Sequence, residues 1–284
     1  MRKTILAIFR LKIFFALIIL NSGCEKDYLT INAFEAEGTT VLYEPDNTGK
    51  SLKVAVVSMK CSFSIEENVQ KIIDYIKEIV DLEPSVNLIS FGESITGWYA
   101  EDPQYIDQIS ESIPGPLTDT LSSYAKKSGI YLSFGMAESK GDRIYNSMVV
   151  INPEGEIIGK HRKNTLTPED KKAGYSSYKN SNVIEIRGFN TGMMICADVN
   201  GEWLTNQYID EGIDLVLSAF ASPIGVPSFN IISRRMNAWQ IFPNRYGTEN
   251  DERYSGLIYV SDPAGNIVKY SSDKEGFITY KLLQ

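Results

Sequence analysis

The sequence predicts an α/β protein, on three observations. Short apolar runs such as "LKVAVVSM", "VNLISF" and "IDLVLSAF" have strand length and end at polar or turn residues. One long segment, "SIEENVQKIIDYIKEIVDL", repeats its apolar residues at helical spacing. The two kinds alternate as strand, helix, strand, helix, strand up to residue 138, which implies a sheet with helices packed on it.

Residues 25 to about 50 are polar and turn-rich without a sustained period, as expected of a tether. The first strand begins at Leu52. In the helix that follows, Ser64 and Glu67 supply a capping-box start, and Val69, Ile72, Ile73, Ile76, Ile79 and Val80 fall on one face. "VNLISF" is a second strand ending at Gly92 and Glu93, and a helix near "GPLTDTLSSYAKKSG" feeds the strand "IYLSFGMAE". "YNSMVVINPEGEIIGKHRK" reads as a hairpin, with Asn152, Pro153 and Gly155 as its turn. "SNVIEI", "GMMIC", "IDLVLSAF", "SGLIYVSD" and "FITYKLL" are further strands, and helices are expected over 202–211 and part of 228–240. No second domain boundary follows residue 50, so 51–284 is expected to be one domain.

The N-terminus has a separate character. Arg2, Lys3, Arg10 and Lys12 flank an apolar run from Ile13 to Leu20 that is too short to span a bilayer and matches an export signal. "LNSGC" resembles a bacterial lipobox, which implies a signal peptide over 1–23, acylation of Cys24 (a palmitate-type anchor) and a lipidated tether over 24–50. Glu25 is not the Asp that often retains lipoproteins at the inner membrane. The expected location is therefore the cell envelope, at the bacterial outer membrane, with membrane contact through the lipid. The whole chain of 284 residues has a formal charge of −8. Without residues 1–23 it has 24 basic against 36 acidic residues, which argues against sequence-independent nucleic-acid binding.

Composition restricts the chemistry further. The only histidine is His161, so a multi-histidine metal site is excluded, and neither a metal nor a cofactor is expected. Beyond Cys24, Cys61 and Cys196 could pair, but free thiols are expected because 260 residues can build a core without a disulfide. A thiol nucleophile can be served by a carboxylate base, with a lysine to stabilise an oxyanion. Those groups stand at element ends: Glu93 in "LISFGESITGWY", Lys163 in "IIGKHRKNTLTPED" and Cys196 in "GMMICAD".

With these motifs the chain resembles the nitrilase superfamily of carbon–nitrogen hydrolases, whose Glu, Lys and Cys occur in this order. The likeness extends to "ESIPGPLTDTLSSYAKKSGIYLSFGMAE", to the hairpin into Lys163 and to "YSGLIYVSDPAGNIVKY", and covers nearly all of 52–284. It implies a four-layer αββα sandwich with two mixed β-sheets packed face to face. It also implies Glu93 as general base, Lys163 as oxyanion stabiliser, Cys196 as the nucleophile that forms a thioester, and the Ala197 N–H as second oxyanion donor. Glu169 would be the additional carboxylate that positions the lysine, with Glu138 as competitor; Lys160 is the alternative to Lys163. Trp98, Tyr99 and Trp203 are read either as lining of an acyl-group pocket or as packing. His161 is expected to pack beside its strand, and Cys61 to be structural.

The chain departs from the family pattern at Gly92, where a proline is usual, at Asn164 and Thr165, and after Cys196, where an aromatic and an arginine are missing and Asp198 is kept. The implied activity is hydrolysis of a non-peptide C–N bond in a small amide or acyl substrate, amide over nitrile. The alternatives are an N-acyltransferase using the same triad, or an inactive lipid-anchored binding protein on the same scaffold. Family members often pair through helices near the cysteine motif, which leaves a homodimer open for this chain.

Overall fold

The computed structural model describes Tyr43, residues 49–249 and residues 251–284. The export segment, Cys24 and most of the tether lie outside the described residues.

The first sheet is built around β1 (Ser51–Met59), with β2 (Leu88–Ser90) and β3 (Tyr131–Lys140) parallel to it. β4 (Arg143–Ile151) and β5 (Ile157–Arg162) continue this sheet as antiparallel neighbours. On the other edge of β1 lie β14 (Gly276–Leu283), antiparallel, and β10 (Asn244–Glu249), which pairs with β11 (Glu252–Ser255). The second sheet runs β13 (Ile267–Ser271), β12 (Ile258–Ser261), β9 (Trp239–Phe242), β8 (Leu215–Ala219), β7 (Phe189–Ile195), β6 (Val183–Ile186). β7, β8 and β9 are parallel and their outer neighbours antiparallel, so both sheets are mixed, as expected.

Side-chain alternation along β1 generates the layers. Leu52, Val54 and Val56 join Met193, Ile195, Leu217 and Ile241 in the core between the sheets. Ala55, Val57 and Met59 face the opposite way, against α1 (Ile65–Leu82) and α3 (Pro116–Ser128). On the far side, Met194, Val216, Phe242 and Tyr259 pack against α5 (Glu202–Asp210) and α6 (Ile231–Met236). Helix, sheet, sheet and helix give four layers. Burial on both faces explains why the central strands read as continuous apolar runs.

Ser64 caps α1 by accepting the Glu67 N–H at 3.3 Å, but its own N–H donates to Ser62 Oγ at 3.2 Å, so Glu67 does not close the reciprocal half of the box. Two short helices are absent from the sequence reading: α2 (Pro103–Ile109), capped by Asp102, and α4 (Pro168–Lys172), capped by Thr167. Neither is long enough to express a period. Strands β9 to β11 are also additional, and "WQIF" takes up the end of the segment read as partly helical. Cys61 and Cys196 are both free, as expected.

Candidate active site

Several strands of both sheets end at one place, and loops leaving those ends bring the charged residues together. Past β2 the chain turns through Gly92 and Glu93 into Ser94, which takes a left-handed φ of 46°. The turn lies flat on β3 at Gly135, where an added Cβ would stand 2.5 Å from Ser94 N and 2.8 Å from Glu93 Cα. Glu93 is fully buried. Its Oε1 accepts from Lys163 Nζ and Asn146 Nδ2, each at 2.7 Å, and its Oε2 accepts from the Ala221 N–H at 3.0 Å. Burial raises its pKa and prevails over the Lys163 charge, aided by the negative charge of Asp170.

Lys163 follows the last residue of β5 and is likewise fully buried. Its ammonium also meets Asp170 Oδ2 at 2.6 Å and lies 5.9 Å from the Tyr99 ring centre. Burial works against its charge, but Glu93, Tyr99, Asp170 and Cys196 outweigh that cost and hold its pKa well above the ordinary lysine value. Asp170 shows the converse balance: burial opposes its charge, and the adjacent Lys163 nevertheless keeps its pKa lowered.

Asp170 thus takes the place expected of Glu169. Thr167 caps α4 and accepts the Asp170 N–H, while Asp170 Oδ2 accepts the Thr167 N–H at 2.9 Å; this reciprocal pair turns Asp170 inward. Glu169, one residue earlier, is partly exposed and its charge bears on Lys172. Glu138 is no substitute either. It forms a separate buried cluster with Lys160 Nζ at 2.6 Å, Arg162 at 2.7 and 2.8 Å and Ser147 Oγ at 2.7 Å. Burial would raise its pKa, but the bonds from Arg162, Lys160 and Ser147 bring it to about 2. Lys160 therefore belongs to Glu138, and Lys163 is the lysine beside Glu93.

Cys196 follows the last residue of β7 and opens a 3₁₀ turn, Cys196–Asn200, with φ at 42°, a conformation rare for a residue carrying a side chain. Such a strand–turn displays the side chain at the strand end, and Cys196 retains part of its exposure while its neighbours Ile195 and Asp198 are buried. Surrounding protein and the Glu93 charge push the thiol up, so it rests protonated. The Lys163 charge and the Ala221 amide act in the opposite direction without prevailing. Ala197 follows within the turn, where the first N–H groups of a helix have no partner inside it.

The three aromatics separate. Tyr99 is in the cluster, its hydroxyl donating to Asp170 Oδ1 at 2.8 Å. Trp98 is packing: its indole N–H donates to Cys61 O at 3.2 Å and its ring meets Phe63 edge-on. Trp203 sits on α5 at the surface, with Lys179 Nζ 4.5 Å from its ring centre. His161 is buried beside its strand as expected, and bonds Asp198.

The sequence reading missed four supporting side chains. Asn146 stands across the β4–β5 pair from Lys163, whose N–H donates to Asn146 O at 2.9 Å. Asn244 accepts the Ser222 N–H and donates to Ser222 O, holding the segment that presents Ala221. Arg245, fully buried, donates to the carbonyls of Glu93, Ser94 and Gly97 at 2.9, 2.7 and 2.6 Å and pairs with Glu249. Asp170 was passed over for its neighbour. A single charged residue inside the otherwise uncharged "QIFPNRYG" was the one available signal for Arg245.

The sequence pattern of carbon–nitrogen hydrolases matches residues 53–283. A probable nitrilase of Schizosaccharomyces pombe is 28% identical over 227 residues, covering 76% of this chain and 82% of that protein. An omega-amidase of Mus musculus is 24% identical over 241 residues, covering 79% and 86%. Among solved structures, an amidase from Nesterenkonia sp. superposes with a TM-score of 0.70 at 18% identity, covering 83% of this chain and 91% of that one. A carbon–nitrogen hydrolase from Helicobacter pylori G27 gives 0.73 at 19% identity, covering 82% and 89%.

Proposed function

The chain belongs to the carbon–nitrogen hydrolase family, and from that premise we propose that it hydrolyses a small non-peptide amide through a thioester on Cys196. In the first half-reaction Cys196 Sγ attacks the carbonyl carbon while its proton passes to Glu93. The developing oxyanion is held by Lys163 Nζ and the Ala197 N–H. Glu93 then gives the proton to the nitrogen as the C–N bond breaks, releasing the amine or ammonia. In the second half, Glu93 takes a proton from water, the hydroxide adds to the thioester carbon, and the acid and the free thiol are regenerated. Asp170 holds Lys163, and Tyr99 holds Asp170.

The observation that carries this reading is the buried Glu93–Lys163 contact of 2.7 Å, with Asp170 on the same ammonium and both the Glu93 and Lys163 charges bearing on the Cys196 thiol. A protonated thiol next to a carboxylate of raised pKa suits a general base, because a base works best when its pKa approaches the working pH. A glutamate-to-glutamine mutant of the Nesterenkonia amidase is described with the acetamide moiety of fluoroacetamide added covalently at its active-site cysteine, and that reagent supplies the test. The purified chain is incubated with fluoroacetamide and its intact mass followed. An adduct on the parent or on Glu93→Gln that Cys196→Ala cannot form, with amide turnover lost in Glu93→Gln, supports the assignment; a chain that stays unmodified in both forms, and turns over no small amide, refutes it.

We also propose that residues 51–284 form the hydrolase domain, tethered by 24–50 to a lipid on Cys24 and so held at the cell envelope, at the outer membrane. The support is the basic flank, the apolar run and the "LNSGC" stretch. Incorporation of a labelled fatty acid by the parent and its loss in Cys24→Ser is the expected result; labelling unchanged by that substitution refutes the anchor.

A further inference from the structure

The carboxylate of Asp198 is fully buried and joins the two arms of the site. Its Oδ1 accepts the N–H groups of Asn164 and Thr165 at 2.9 and 2.8 Å. Its Oδ2 accepts the Ile195 N–H at 3.0 Å and pairs with His161 Nε2 at 2.8 Å. Three of these donors bracket Lys163 along the chain, at positions 161, 164 and 165; the fourth immediately precedes Cys196. One side chain therefore ties the lysine's strand end in the first sheet to the cysteine's strand end in the second.

The bonds also explain how Cys196 keeps its left-handed backbone. Ile195 is the last residue of β7, and its N–H is turned onto a side chain of the 3₁₀ turn that Cys196 opens. That contact closes the turn back on the strand end. A strained backbone persists only where its surroundings over-determine it, and Asp198 supplies such a constraint from both sides of the site.

We propose that Asp198 is a positioning residue that sets the separation of the Cys196 sulfur from the Lys163 ammonium, and that the chain's single histidine serves Asp198 as a buried donor, not the reaction as a base. The proposal rests on the hydrolase reading above. Asp198 accepts three main-chain N–H groups on its two oxygens, and the donor of the fourth bond is accordingly assigned to His161 Nε2. His161 Nδ1 is buried with no hydrogen-bond partner among the described residues, and no relay through the ring reaches a substrate. Asp198 saturates its near acceptor positions with main-chain and imidazole donors, and touches neither Lys163 Nζ nor Cys196 Sγ through any bond of its own. Its influence on the reaction is geometric.

The test compares two reagents on the full chain. Fluoroacetamide carries a poor leaving group, fluoride, and needs to be held in line with the sulfur, whereas methyl methanethiosulfonate requires only a reachable thiol, and buried Cys61 reports unfolding by becoming modified. Asp198→Asn keeps the acceptor for Asn164 and Thr165 but presents an amide donor to the Ile195 N–H. The expected result is adduct formation at Cys196 slowed at least thirtyfold with fluoroacetamide and less than threefold with the methanethiosulfonate, Cys61 remaining protected. In turnover, kcat falls while KM stays within threefold. His161→Gln, which leaves the three backbone bonds intact, is expected to slow the fluoroacetamide reaction about fivefold, and the double variant to be no slower than Asp198→Asn. Should Asp198→Asn not fold, His161→Gln carries the test.

A folded Asp198→Asn protein, or a His161→Gln protein, that reacts with fluoroacetamide at the parental rate overturns the positioning role. A parent that reacts with the methanethiosulfonate at Cys196 but never with fluoroacetamide, and turns over no amide, overturns the hydrolase reading and this inference with it.

Discussion

Replacing Lys163 by Met tests the electrostatics of the cluster most directly. The substitution keeps much of the apolar stem and removes the ammonium from between Glu93 Oε1 at 2.7 Å and Asp170 Oδ2 at 2.6 Å. Breaking a buried ion pair from one side costs about 3–5 kcal/mol. Here each carboxylate keeps two close donors, Asn146 and Ala221 on Glu93, Tyr99 and Thr167 on Asp170, so the lower end, about 3 kcal/mol, is expected near pH 7.5. For a domain of this size that lowers Tm by about 6–12 °C. The loss depends on pH with a definite sign. Glu93 already has a raised pKa, and without Lys163 it rises further, so the folded variant binds a proton that the unfolded chain gives up near its ordinary carboxylate pKa. The variant is therefore closest to the parent at pH 5 and falls behind as pH rises towards 8. Turnover drops by about 10²–10³, the scale of losing one oxyanion donor. Thermal unfolding from pH 5 to 8 and steady-state kinetics with small amides read both effects. An equal Tm deficit at pH 5 and pH 8, or turnover within tenfold of the parent, refutes the reasoning.

Glu138 holds a carboxylate pKa of about 2 in the folded state, so its contribution is present above pH 4.5 and is lost as pH falls towards 2. Partial exposure of Lys160 reduces that contribution to about 2 kcal/mol, and denaturant unfolding of Glu138→Gln should show an acid limb flatter by that amount. Gly135→Ala drives a Cβ against Ser94 N and Glu93 Cα; kcat should fall about 10²-fold with stability reduced by about 1–3 kcal/mol, and an unchanged kcat would mean the Glu93 turn can yield. Glu169→Ala should alter stability by less than about 0.5 kcal/mol and leave kcat intact. Asp170→Asn should lower kcat and move the acid limb of kcat/KM to lower pH, because Lys163 then bears on Glu93 alone; a reversed pattern in this pair returns the positioning role to Glu169.

The parts of the site legible in the sequence are those at element ends. Glu93 and Cys196 follow apolar strands and Lys163 follows the second arm of a hairpin with a clear turn, so their placement at element ends could be read locally. The four-layer arrangement came from the family resemblance, since an apolar run does not reveal which sheet covers it. What escaped is what depends on register and on helix phase. Asp170 and Glu169 are adjacent in "TPED", and only the rotation of a five-residue helix turns one inward and the other out. The role of Asn146 depends on pairing of β4 with β5, where Ser147 faces Arg162 and a slip of one residue would reverse every side chain. Arg245 and Asn244 are about 150 residues beyond the Glu93 turn they support, and no local pattern connects them. Trp98 and Tyr99 are neighbours that face different parts of the protein, one towards Cys61 and the other towards Asp170.

The second carboxylate has a reason that charge balance supplies. A lysine paired with Glu93 alone would stabilise the carboxylate and lower its pKa, making Glu93 a poor proton acceptor for a thiol that burial has already raised. Asp170 changes the division of charge. Held by Tyr99, Thr167 and Lys163, it is the carboxylate whose ionised form the cluster favours, and it takes much of the compensation that Lys163 offers. Glu93, with the same ammonium at nearly the same distance, has a raised pKa because its burial is less fully compensated and because Asp170 is negative. Two carboxylates around one lysine are thereby driven apart in basicity, which is how paired acids come to fill different roles. In the proposed mechanism, protonation of Glu93 during attack would leave Lys163 with one ionised partner in place of two, which would free its ammonium towards the oxyanion at the moment that charge develops.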